Sequence, residues 1–138
     1  MDKLNPLKII LSRLHFSKIL EIAQQQAPLE ACGIIAGIDQ TSQEIYQITN
    51  ALYSPVEFLM NPQEMVKVFW EIDLQNLEPI AFFHSHPASQ PIPSQTDLDR
   101  NYYPETPQLI IGKEMDQWAI RGFLLSKKDI KEIKIEII

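Results

Sequence analysis

Two histidines stand two residues apart in Phe82-Phe83-His84-Ser85-His86-Pro87, and Ser94-Gln95-Thr96-Asp97 follows shortly after. If Ile80 to His86 is a strand, alternation turns both imidazoles to one face, where they converge on a single point. Pro87 ends regular pairing, and a short loop brings Asp97 back as a hard anionic oxygen, a third ligand. Two imidazoles and one carboxylate leave a tetrahedral zinc ion a fourth position for water, the pattern of a catalytic rather than a closed structural site. Ser94-x-x-Asp97 also reads as a helix capping box. The two readings are compatible, because a helix N-terminus favours an ionised carboxylate.

With these residues in view, the chain resembles the JAMM/MPN family of zinc metalloproteases, whose motif is His-x-His-Pro, six residues, then Ser-x-x-Asp. His84, His86, Pro87, Ser94 and Asp97 all fall in place. The family also carries Pro-x-Glu-x-Cys-Gly before an apolar strand, and Pro28-Leu29-Glu30-Ala31-Cys32-Gly33 precedes Ile34-Ile35-Ala36 here. The resemblance runs from about Leu14 to about Leu125. It implies one Zn2+ per chain held by His84, His86 and Asp97. It also implies that Glu30 is the general base and then the acid, and that Ser94 donates to the developing oxyanion. Taken alone, a glutamate before a strand is an ordinary solvated carboxylate. A cupin, the nearest rival for a His-x-His strand, would want a glutamate where Gln90 and Pro91 stand.

The elements that must position these residues are legible in outline. Leu7 to Leu11 is a short apolar run suited to an edge strand. From about Leu14, Phe16, Ile19, Leu20, Ala23 and Ala27 follow helical spacing, and Pro28 closes the helix. His15, at its start, reads as a surface residue. Gly33 to Ile38 and Glu44 to Asn50 form a hairpin around the turn chemistry of residues 37–42. Asn61-Pro62-Gln63-Glu64 starts a second helix whose buried face is Met65, Val68, Phe69 and Ile72. Ile80 to His86 is a strand covered on both faces. A short helix follows Ser94, and Gln108–Gly112, Trp118–Leu125 and Ile130–Ile138 are strand-like, giving five or six strands. Cys32, Trp118 and Phe123 read as packing residues. The fold class is α/β, a mixed β-sheet flanked by helices, and the resemblance implies the JAMM/MPN arrangement, similar to that of the cytidine deaminases.

A chain of 138 residues reads as a single domain, 1–138, large enough to bury a core without staples. Residues 1–6 lack the apolar segment of an export signal, no apolar run approaches a membrane span, and one cysteine permits no internal disulfide. These observations point to the cytoplasm. A net charge of -6 without a basic cluster argues against a nucleic-acid partner.

The resemblance implies hydrolysis of a peptide or isopeptide bond at the C-terminal tail of a ubiquitin-like or sulfur-carrier β-grasp protein. Only about ten residues separate Asp97 from Gln108, which resembles the minimal prokaryotic type, without the added loop of the larger deubiquitinating relatives. A tail pairing with a free strand edge, beside a narrow glycine-selective channel, is the expected mode. Two alternatives stand beside it: hydrolysis of a small amide, and a non-catalytic MPN-type scaffold. The scaffold members lose ligands from the motif, whereas all five positions are present here.

Overall fold

The structure is a computed structural model that describes residues 7–138. The start of the chain, residues 1–6, lies outside the described residues, and with it the reading that no export signal is present. The elements are β1 (Lys8–Leu11), α1 (Arg13–Gln26), β2 (Cys32–Ile38), β3 (Thr41–Ile48), α2 (Pro62–Leu74), β4 (Glu78–Ser85), α3 (Gln95–Asp99), β5 (Gln108–Glu114), β6 (Gln117–Ser126) and β7 (Asp129–Ile137). The mixed sheet runs β3-β2-β4-β5-β6-β7, antiparallel except where β4 lies parallel to β5.

β1 is not the expected edge strand. It pairs in parallel with β7 and bridges to β3 at Ile10 and Thr41, closing the sheet on itself. Ile9 and Leu11 are buried on the inner face, so closure hides the apolar residues that an edge would leave wet. Four residues of apolar sequence say that a strand is present but do not name its partner.

Each face of the sheet has its own core. α1 starts at Ser12, whose hydroxyl accepts the His15 backbone N–H at 3.1 Å. Its Ile19, Ile22 and Ala23 pack with Ile9, Leu11, Ile35, Phe83, Leu109 and Ile111. Ala27, expected on this face, lies past the last turn and is exposed. His15 is half-buried rather than free, with Nδ1 2.6 Å from Ser42 Oγ. α2 starts at Asn61, whose Oδ1 accepts the Glu64 N–H at 3.0 Å, and the Glu64 carboxylate accepts from Thr49 N–H at 2.8 Å. Val68 and Ile72, with Met65 and Phe69, cover Ile34, Ala36 and Phe82 on the opposite face.

Between these layers β4 is flanked by β2 and β5, and Ile80 to Ser85 are all buried. Two residues in the left-handed region, Asp39 (φ 50) and Gln40 (φ 70), make the β2–β3 turn. Gly33 is held by close approach. A Cβ there would collide with the Tyr46 carbonyl oxygen on one neighbour strand and the Phe83 ring on the other. We expect Gly33→Ala to destabilise the fold by about 1–3 kcal/mol in urea unfolding, the usual scale for overpacking. An unchanged midpoint would refute the close approach of β2 to both neighbours.

Candidate metal centre

His84 occupies the penultimate position of β4, and His86 continues its line, donating its backbone N–H to Ile111 O at 2.7 Å. Their Nε2 atoms stand 3.2 Å apart, and Asp97 Oδ2 lies 3.1 Å from each. A tetrahedral ion with bonds of about 2.0–2.1 Å separates its ligand atoms by about 3.3 Å, so these three atoms have the dimensions of one face of such a site. The donor set, two neutral imidazoles and a carboxylate, fits zinc.

Local structure fixes each donor. His86 Nδ1 lies 3.0 Å from Gln90 O, and a carbonyl can only accept, so Nδ1 carries a proton and Nε2 is the nitrogen that would offer a lone pair to a metal. Gly112 makes that partner possible. A Cβ at Gly112 would stand 2.5 Å from Pro91 N and 2.6 Å from Ser89 O, the stretch that presents the Gln90 carbonyl. Lys113 N–H ties the same stretch down through Ser89 O at 2.8 Å. His84 has no such anchor: its Nδ1 is buried and has no partner among the described residues. Its ring instead stacks on Phe58, with centroids 4.4 Å apart at 24°.

Asp97 sits in the first turn of α3, in a complete capping box. Ser94 Oγ accepts the Asp97 N–H at 3.1 Å, and Asp97 Oδ2 accepts the Ser94 N–H at 2.9 Å. The capping box is thus present, and the same carboxylate oxygen faces both imidazoles. Burial pushes the Asp97 carboxyl up, but His84, His86 and the Ser94 N–H outweigh it and hold the group well below the usual carboxylate range. For His86 burial works downward, and Asp97 and the Gln90 carbonyl raise the ring above its ordinary value.

Glu30 is brought in from the other side. It is 4% exposed, and it, His84 and His86 can offer ligand atoms within 4.8 Å of one another. Geometry favours Asp97 over Glu30 as the third donor, because Asp97 already closes the triangle at 3.1 Å from both rings. Glu30 Oε1 has no partner among the described residues, and burial pushes the carboxyl to about 8. Such a group takes and gives a proton near neutral pH. Cys32 behaves as the expected packing residue, with its thiol buried, pushed to about 12 by burial, and directed at Ile48 O.

Beside His84 and Asp97 lies a cavity of about 350 Å³, walled by Phe58, Met60, Met65, Phe82, Tyr103 and Leu125. Its wall is mainly apolar, with Arg100, Asn101 and Gln108 also on it. The structure therefore brings His84, His86, Asp97 and Glu30 together, with Ser94 against Asp97. Three contributors were not singled out from sequence: Ser85, whose hydroxyl accepts the Ala31 N–H at 2.7 Å; Phe58, on His84; and Asn50, hydrogen-bonded to the Glu30 carbonyl at 3.1 Å. Ser85 had a signal, since the middle residue of His-x-His must face the opposite way. Phe58 and Asn50 had none, because they belong to a loop.

A family model for prokaryotic homologues of the JAB domain matches residues 12–121. A desampylase from Pyrococcus furiosus is 34% identical over 130 residues, 94% of this chain and 90% of the relative. A CysO-cysteine peptidase from Mycobacterium tuberculosis is 24% identical over 119 residues, 84% of this chain and 82% of the relative. A protein from Desulfitobacterium hafniense, solved in solution, superposes with a TM-score of 0.85 at 28% identity, covering 94% of this chain and 92% of that one. No helix among the described residues is long and apolar enough to cross a membrane. With two motifs in register, their residues gathered at one site and a family match across most of the chain, the protein belongs to the prokaryotic JAB-domain family and is a hydrolytic enzyme of the JAMM/MPN kind.

Proposed function

We propose that the chain is one catalytic domain that binds a single Zn2+ through His84, His86 and Asp97 and cleaves a peptide or isopeptide bond at the Gly-Gly tail of a ubiquitin-like or sulfur-carrier β-grasp protein. The observation that carries this reading is the triangle of ligand atoms at 3.1–3.2 Å beside a buried, unpartnered glutamate. A non-catalytic scaffold has no use for that costly carboxylate. The likeness to a desampylase and a CysO-cysteine peptidase supports a small-protein tail as the substrate.

A zinc ion held by His84, His86 and Asp97 would lower the pKa of a water to about 7 and polarise the scissile carbonyl. The remaining work falls to the chain. Glu30 takes a proton from the attacking water at its carboxylate oxygen as the C–O bond forms, and delivers it to the departing nitrogen as the C–N bond breaks, so that the amine leaves neutral. Ser94 Oγ uses a lone pair on the Asp97 N–H, so its O–H is available to the carbonyl oxygen as negative charge builds. The mainly apolar cavity gives room for a substrate side chain beyond the Gly-Gly pair.

His84→Ala leaves two donors and should lose tight zinc binding, read by elemental analysis of dialysed protein. Full zinc in that variant would remove the ligand assignment. Glu30→Gln should keep its zinc while turnover falls at least about 100-fold, the scale of a lost general base. In chelator-treated protein the same change should raise stability by about 1–2 kcal/mol, since it removes a buried carboxylate that has no partner. Wild-type turnover or a zinc-free product would contradict the role of Glu30. For the substrate, mass spectrometry should detect cleavage after Gly-Gly of a β-grasp carrier joined to an amino acid or short peptide, and slower or no action on folded polyubiquitin. The reverse preference would overturn the substrate assignment.

A further inference from the structure

We propose that Asn50 is a positioning residue for the reaction, acting through the main chain of Glu30. This rests on the reading of Glu30 as the proton carrier. Asn50 lies two residues past the end of β3, is 6% exposed, and pairs across an isolated bridge with Met60, which closes the loop of residues 50–60 at its base. Its Nδ2 donates to the carbonyls of Glu30 and Glu57, both at 3.1 Å, and its Oδ1 accepts the N–H groups of Leu52 at 3.0 Å and Leu59 at 3.1 Å. Two donors and two lone pairs are the whole capacity of a carboxamide, and all four are used.

The consequence is a two-sided grip on Glu30. Its N–H donates to Ser54 O at 2.9 Å, and its carbonyl accepts from Asn50, so both of its main-chain groups are held by the loop that Asn50 organises. Glu30 lies in neither a helix nor a strand, so no regular ladder replaces these bonds. The next residue is held differently: Ala31 N–H goes to Ser85 Oγ at 2.7 Å and its carbonyl accepts Ser85 N–H at 3.0 Å. The carboxylate itself makes no bond at Oε1 among the described residues, so its direction is set by its backbone. Losing the Asn50 donors leaves the buried Glu30 carbonyl and the part-buried Glu57 carbonyl without this partner and frees the backbone that aims the group.

The test is N50D, which keeps the acceptor oxygens and loses the donors, with N50S as the variant that spares the loop an added charge. Three readouts are taken on zinc-loaded protein: zinc content, amide exchange, and turnover on a β-grasp carrier with a Gly-Gly-linked amino acid. Zinc should stay at wild-type content. The Glu30 amide should exchange at least about 10-fold faster while the Ala31 amide, held by Ser85, keeps its protection. Turnover should fall at least about 10-fold in the wild-type background and by less than about 2-fold when added to E30Q, because a residue acting through Glu30 has nothing left to position. Unchanged exchange at Glu30, or an equal loss in both backgrounds, would overturn the proposal and assign Asn50 to general folding or tail binding. E30Q with wild-type turnover would remove the reading of Glu30 and this inference with it.

Discussion

The site depends on the pairing of β2 with β4. In that register Cys32 stands opposite His84, and just beyond the ladder Ala31 and Ser85 exchange hydrogen bonds through the Ser85 hydroxyl and backbone N–H. A residue separation of 54 is thereby closed to hydrogen-bond length, and Glu30 arrives beside the two imidazoles. The close approach of β2 to its neighbours at Gly33 keeps the strand deep in the sheet. The small Cys32 side chain, opposite His84, leaves the ring its place on the same face. Packing of the strands and placement of Glu30 beside the imidazoles are one constraint.

The electrostatic arrangement runs against stability. Four ionisable side chains gather where almost no water reaches, and two of their polar atoms, Glu30 Oε1 and His84 Nδ1, have no partner among the described residues. A fold selected for stability alone would fill this space with apolar side chains. The two carboxylates also diverge: Asp97 is held ionised by both histidines and a helix N-terminus, while burial pushes Glu30 to about 8. One is suited to stay charged as a ligand, the other to exchange protons.

What the sequence made legible was periodic or short-range. Strand alternation put His84 and His86 on one face, and the spacing of Ser94 and Asp97 marked a helix start whose carboxylate lies 3.1 Å from both rings. Asn61-Pro62 announced α2, and the apolar run into His84 announced a strand covered on both sides. What was not legible was pairing over distance. The parallel contact of β1 with β7 closes the sheet, and nothing in the four residues Lys8 to Leu11 names that partner. His15 looked like a surface group because its partner Ser42 lies on another element. Position 27 was placed on the helix by spacing, although the helix stops at Gln26.

The loop of residues 50–60 illustrates why irregular segments hide their roles. No periodicity marks it, yet its Phe58 covers the His84 ring, its Ser54 and Asn50 hold the main chain of Glu30, and its Glu57 pairs with Arg100 just past α3 at 2.9 Å. The last contact is between exposed charges and contributes little energy by itself. Its position matters more, because the loop and the α3–β5 connection contribute residues to the wall of the same apolar cavity. Whatever enters that cavity therefore touches a segment already bonded to the main chain of Glu30 and stacked on the His84 ring. The cavity wall and the backbone of Glu30 thus meet in one loop, held together by the hydrogen bonds of a single buried amide side chain.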